Sequence, residues 1–187
     1  APVVLEFRRS SEVDTVLVST GQHREMLAQA LETFGLVPTV DLDVMQHGQT
    51  LSALTSRMLD GLDSVLAERA PSMVLAQGDT TTTFVAGLAS YYRRIPFAHI
   101  EAGLRTYTVW NPYPEEFNRR AVSLTASLNF APTRRAAENL LREGVERTHV
   151  FVTGNTGIDA VMSVAKRTRT EWYPEHEGSV VLLTTHR

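Results

Sequence analysis

The sequence predicts an α/β protein built on a doubly wound, Rossmann-like parallel sheet. Three observations lead there. Short, continuous apolar runs such as Met73-Val74-Leu75-Ala76 recur along the chain, without the apolar–polar alternation of a half-solvated sheet. Longer stretches with apolar residues at helical spacing separate these runs, and strands alternating with helices in this way pair in parallel. Polar and charged residues gather at or just past the ends of the runs, at Gln22, His23, Asp79, Glu101, Arg105, Asn155 and His186. In open α/β sheets ligands bind beyond the carboxyl ends of the strands.

Taken in order, Thr15–Val18 is the first strand. Residues 21–34 follow as a helix with Met26, Leu27, Ala30, Leu31 and Phe34 on one face. Residues 49–70 form a longer amphipathic helix through Leu51, Leu54, Met58, Leu62 and Leu66, and Pro71 ends it. Strand 73–76 leads through Gly78-Asp79 into helix 80–92, and strand 96–100 leads into a polar loop over 103–114. Helix 115–126, strand 128–131, helix 133–143, strand 149–152 and helix 155–167 complete one domain. The segment from Thr168 to Gly178, with Pro174 and mixed charges, reads as a linker, so the apolar strand over 179–184 opens a second domain. The chain starts abruptly on apolar residues without a methionine and stops after a core-type strand, as the ordered part of a longer protein would.

Composition narrows the chemistry. A net charge of −3 provides no basic footprint for nucleic acid. The absence of cysteine removes disulfides and thiolate zinc sites, and the histidines show no metal-ligand spacing. No apolar run approaches the roughly 18–20 residues of a membrane span, and no signal peptide is visible. The expectation is a soluble cytoplasmic protein without metal or cofactor.

Four stretches are candidates for function. In Gly78-Asp79-Thr80, Asp79 read alone is sufficiently explained as a helix cap, with the following threonines satisfying the first turn. A tight glycine turn opening a helix equally suits an anion, but neither GxGxxG nor a Walker lysine is present. Glu101, in His99-Ile100-Glu101-Ala102-Gly103-Leu104-Arg105, has no helix to cap and lies at a strand end, which favours function; on a strand it shares a face with His99. His-x-Glu without cysteine ligands is not a zinc deaminase site. In Pro114-Glu115-Glu116, the acids suit a first helical turn, and Arg119 is spaced to pair with Glu115. Asn155 is most simply a cap.

Together, Gly21-Gln22-His23-Arg24-Glu25-Met26-Leu27, Gly78-Asp79-Thr80-Thr81-Thr82-Thr83, His99-Ile100-Glu101-Ala102-Gly103-Leu104-Arg105-Thr106, Pro114-Glu115-Glu116-x-Asn118-Arg119 and Thr153-Gly154-Asn155-Thr156 resemble, in order and spacing, the non-hydrolysing UDP-N-acetylglucosamine 2-epimerases. The resemblance implies one half of a two-domain fold like that of the B-type glycosyltransferases. Residues 1–167 would be the N-terminal Rossmann-like domain without its first strand, with Ala1-Pro2 in its first helix. Residues 168–187 would be the linker and the first strand of the C-terminal domain. The family's Gly-Thr-Arg-Pro-Glu turn has no counterpart here, and neither has most of the C-terminal domain, so the fragment alone is expected to be inactive.

The resemblance further implies interconversion of UDP-N-acetylglucosamine and UDP-N-acetylmannosamine by a homodimer, for cell-envelope polysaccharides. B-type glycosyltransfer, hydrolytic 2-epimerisation and non-catalytic sensing of a nucleotide sugar are the rival readings. Inverting C2 with no adjacent carbonyl and no redox cofactor points to elimination and re-addition of UDP, which needs proton-handling groups on two faces and groups that hold the diphosphate. By resemblance, Asp79, Glu101 and Glu115 share the proton transfers, without assignment of acid to face, and His186 serves the leaving diphosphate. Arg105, Arg119 and Arg187 are the substrate-binding cations, Arg119 also holding an acid in place. Gln22 and His23 are candidates for a second, regulatory nucleotide-sugar site, although the loop Gln46-His47-Gly48-Gln49 lacks a basic residue carried there by some relatives.

Overall fold

A computed structural model describes residues 1–21, 24–167, 178–179, 181 and 183. The elements are α1 (Pro2–Arg9), β1 (Val18–Ser19), α2 (Arg24–Phe34), β2 (Val40–Asp41), α3 (Leu51–Arg69), β3 (Val74–Gln77), α4 (Thr81–Tyr92), β4 (Phe97–Ile100), α5 (Glu115–Thr125), β5 (Leu128–Ala131), α6 (Arg134–Arg142), β6 (Val150–Val152) and α7 (Thr156–Arg167), with a short 3₁₀ turn at Arg147–His149. Every strand pair among the described residues is parallel, as expected of continuous apolar strands separated by helices.

The described strands form two sheets, β1-β2 and β3-β4-β5-β6, where the apolar pattern predicts a single one. One core nevertheless serves both. Leu54, Met58, Leu62 and Leu66 of α3 pack with Val85, Ala86 and Ala89 of α4, Phe97 of β4 and Val122 of α5, and both Val18 of β1 and Val74 of β3 rest against this cluster. A hydrogen bond between the hydroxyls of Thr20 and Thr82, 3.0 Å, ties the end of β1 to the first turn of α4.

Local chemistry explains most of the boundaries. Thr50 caps α3 by accepting the Ala53 N–H, and Ala70 closes the helix in the left-handed region just before Pro71. Thr133 caps α6 in the same manner through Ala136. Asn155 accepts the Gly157 N–H at 2.8 Å, the expected capping contact at the start of α7. The first strand lies three residues later than the apolar run predicts, and β2, with only two residues, is too short for any periodicity to reveal. On α2, Leu27, Leu31 and Phe34 are half-buried as expected, whereas Ala30 is exposed. The linker residues 168–177 lie outside the described residues, as do residues 180, 182 and 184 of the strand predicted over 179–184. Among the described residues, no helix is long and apolar enough to cross a membrane.

Candidate active site

The site forms where β3 and β4 end, with α5 brought alongside. Gly78 follows β3 in the left-handed region, φ 81°, and its N–H bonds the Ile100 carbonyl at 3.0 Å. Glycine suits this turn because other residues pay a steric cost there. Thr80, not Asp79, caps α4: its hydroxyl accepts the Thr83 N–H, while the Thr83 hydroxyl returns to the Gln77 carbonyl at 2.7 Å. The threonines thus satisfy the turn, and the Asp79 carboxylate is free of capping duty.

Asp79 is held from three directions. Its carboxylate Oδ2 accepts from Arg119 Nη2. Its main-chain carbonyl accepts from Asn118 Nδ2 at 2.9 Å. The preceding carbonyl, of Gly78, lies 2.7 Å from His99 Nε2. A carbonyl can only accept, so Nε2 carries the proton and Nδ1 is a bare acceptor. That Nδ1 is buried without a partner, and so are Nδ2 and Oδ1 of Asn129, which stands opposite His99 in the β4–β5 register. Burial pushes the His99 imidazole down to about 4, against the opposing pull of the Gly78 carbonyl, so it is neutral near pH 7.

Glu101 leaves the strand. β4 ends at Ile100 and Glu101 has φ 66°, so strand alternation no longer relates it to His99, contrary to the shared face expected of an extended run. Its Oε2 accepts from Gln77 Nε2 at 3.3 Å, and Gln77 in turn accepts from the Thr156 hydroxyl at the start of α7. A Cβ added to Gly78 would lie 3.9 Å from that Oε2, so the Glu101 carboxylate reaches over the residue preceding Asp79. Glu115, half-buried, begins α5 one turn before Arg119. The expected Glu115–Arg119 pair is not what the structure contains. Arg119 bridges Asp79 and Glu116 instead, and Glu116 is wholly buried.

Arg105 also departs from expectation. Its side chain is fully buried and is consumed by Glu143, with N–O distances of 2.7–3.1 Å, by Ser123 Oγ at 2.9 Å and by the Leu104 carbonyl at 2.8 Å. As placed, it braces the loop after β4 against α5 and α6 and offers no surface to a substrate. Gln22, His23, His186 and Arg187 lie outside the described residues. Sequence reasoning missed Glu116, Asn118 and Gln77. The only signal for Glu116 was the doubled acid, which cannot say which member turns inward.

A parallel α/β domain with carboxylates and a bridging arginine at its strand ends belongs to the class of open α/β folds that bind their ligands at those ends. The match to known proteins is specific. The family model described as UDP-N-acetylglucosamine 2-epimerase covers residues 5–187, and the chain belongs to that family. UDP-N-acetylglucosamine 2-epimerase of Bacillus subtilis is 43% identical over 189 residues, all of this chain and 50% of that protein. The crystal structure of the Neisseria meningitidis UDP-GlcNAc 2-epimerase bound to UDP-GlcNAc superposes with a TM-score of 0.85 at 45% identity, covering 89% of this chain and 44% of that one. The Methanocaldococcus jannaschii UDP-GlcNAc 2-epimerase, in complex with UDP-GlcNAc and UDP, gives 0.82 at 33% identity, covering 90% of this chain and 47% of that one. The chain spans about half the length of the curated relatives it matches.

Proposed function

We propose that the whole protein carrying this chain interconverts UDP-N-acetylglucosamine and UDP-N-acetylmannosamine by elimination and re-addition of UDP. Residues 1–167 form its N-terminal Rossmann-like domain, and 168–187 lead into a second domain that completes the nucleotide site. The observation that carries the reading is the release of Asp79 from capping: its carboxylate is held by Arg119, and the Glu101 carboxylate reaches over the adjacent Gly78, both at the strand ends where a ligand binds.

In this mechanism a carboxylate removes the C2 proton while the C1–O bond to UDP breaks, and the two electron pairs leave a C1=C2 glycal and free UDP. Re-addition re-forms the C1–O bond as a proton is delivered to the opposite face of C2. Asp79, Glu101 and Glu115 supply the proton-handling groups; His186 serves the departing diphosphate, and Arg187 contributes charge there. Arg119 keeps Asp79 aimed. Gln22 and His23 form a second nucleotide-sugar contact at the mouth. The protein acts as a cytoplasmic homodimer. Three acids disfavour a pure diphosphate binder, because added negative charge opposes an anionic ligand.

The test is epimerisation of UDP-N-acetylglucosamine by the whole protein in heavy water, followed by mass spectrometry and NMR. Deuterium at C2 of the product is expected; product without it overturns the elimination. Transfer to an acceptor with no exchange at C2 would indicate a glycosyltransferase, and free N-acetylmannosamine with UDP a hydrolysing enzyme. Asp79→Asn, Glu101→Gln and Glu115→Gln should each lower kcat by about 10²–10⁴-fold, and unchanged activity in all three overturns the assignment.

A further inference from the structure

Glu116 is the second residue of α5 and is wholly buried. An acid in a first helical turn ordinarily stays in solvent and favours the free N–H groups of its own helix. Glu116 turns away from them. Its Oε1 accepts the main-chain N–H of Tyr107 at 3.0 Å, and its Oε2 accepts that of Thr106, also at 3.0 Å. Arg119 Nη1 stands 3.4 Å from the same Oε2, and the other end of that guanidinium bonds Asp79. One cation therefore bridges a fully buried carboxylate and a partly exposed one.

We propose that Glu116 is a positioning residue of the candidate site, acting on Asp79 through Arg119 and on the loop before α5 through Thr106 and Tyr107. Its catalytic consequence rests on the epimerase reading above; the geometry does not. A buried carboxylate is tolerated only when paired and hydrogen-bonded, and here all the compensation comes from groups that shape the site. An arginine tied at one end follows whatever carboxylate it touches. Tied at both ends, its plane is set, and so is the direction in which Asp79 presents its other oxygen. The same carboxylate holds Tyr107 in the left-handed region, φ 62°, at the start of the segment that leads to Glu115. Glu116 thus couples two of the proton-handling acids without touching a substrate. A displacement of about 1 Å at such a group costs on the order of 10² in rate.

The test uses the whole protein with Glu116→Gln, which keeps the size, removes the charge and turns an amide NH₂ toward an N–H or the guanidinium. We expect kcat to fall about 10–100-fold with KM within a few-fold, and faster hydrogen exchange over residues 104–113. In an Arg119→Lys background, where an ammonium cannot fork between two carboxylates, Glu116→Gln should lower kcat little further, since groups acting as one unit are non-additive. A full additional loss in that background would mean a merely structural role and overturns the proposal. So does unchanged exchange over 104–113, a measurement independent of activity. If Glu116→Gln does not fold, Arg119→Lys alone should lower kcat while the loop keeps its protection, and wild-type kcat in that variant overturns the proposal. A wild-type protein that places no deuterium at C2 counts against the epimerase reading, and the exchange result then decides Glu116 separately.

Discussion

The buried His99 makes stability depend on pH in a way that can be isolated. Its imidazole titrates at about 4 in the fold against an ordinary 6.5. Between those values the unfolded chain binds a proton that the folded chain refuses, so stability is complete above 6.5 and declines as pH falls toward 4. At about 1.4 kcal/mol per pH unit, the whole window is worth about 3 kcal/mol, and a drop from pH 7.5 to 5.0 about 2 kcal/mol. His99→Gln retains an N–H to donate to the Gly78 carbonyl and removes the titration. Urea unfolding of the whole protein and the variant, followed by far-UV circular dichroism at pH 7.5 and 5.0, measures the difference directly. Every other ionisable group is common to both proteins, so it cancels. Wild type should lose about 2 kcal/mol more than His99→Gln over this interval. Equal losses would mean that His99 is protonated freely in the fold, and the argument from its burial would fail.

Three further outcomes follow from packing. Gly103 has φ 87°, and a Cβ there would lie 2.2 Å from the Ala136 carbonyl oxygen, so Gly103→Ala must push β4's following loop off α6; a loss of about 3 kcal/mol or more is expected in denaturant unfolding. Thr80→Ala removes the α4 cap and should cost about 1 kcal/mol, whereas Asp79→Asn, which caps nothing, should leave thermal stability nearly intact while lowering kcat. Arg105→Met strands Glu143 and should cost about 2–3 kcal/mol in the same unfolding assay, with its effect on KM for UDP-N-acetylglucosamine small because the guanidinium is fully buried.

The alternation of apolar runs and helical patterns placed α3 to α7 and β3 to β6 within a residue or two, because each helix is long enough for its period to show and each strand falls in a short continuous apolar run between helices. β2 escaped because its two residues carry no period, and β1 was displaced because the apolar run Thr15–Val18 enters the strand only at its end. Strand-end logic located Asp79 and Glu101 correctly at the ends of β3 and β4, but it assumed that an extended run continues through Glu101. The left-handed backbone there breaks the alternation that made His99 and Glu101 neighbours. Arg105 looked like a substrate cation because a basic residue after a strand end resembles one. Its partner Glu143 lies 38 positions away, so no local pattern could reveal that the charge is already spent.

By itself the sequence determined the parallel α/β class, the order of the elements from α3 to α7 and the family, since these rest on local periodicity and on motifs contiguous in the chain. It also placed the threonines at the start of α4, because capping is a contact between near neighbours. Only the tertiary structure decided that Thr80 rather than Asp79 is the cap, that Arg119 bridges Asp79 to Glu116 rather than pairing with Glu115, and that Arg105 is sealed against Glu143. Each of those choices turns on which of several equally spaced polar groups is desolvated. Desolvation is set by elements 20 to 40 residues apart folding onto one another, as between Asp79 and Arg119.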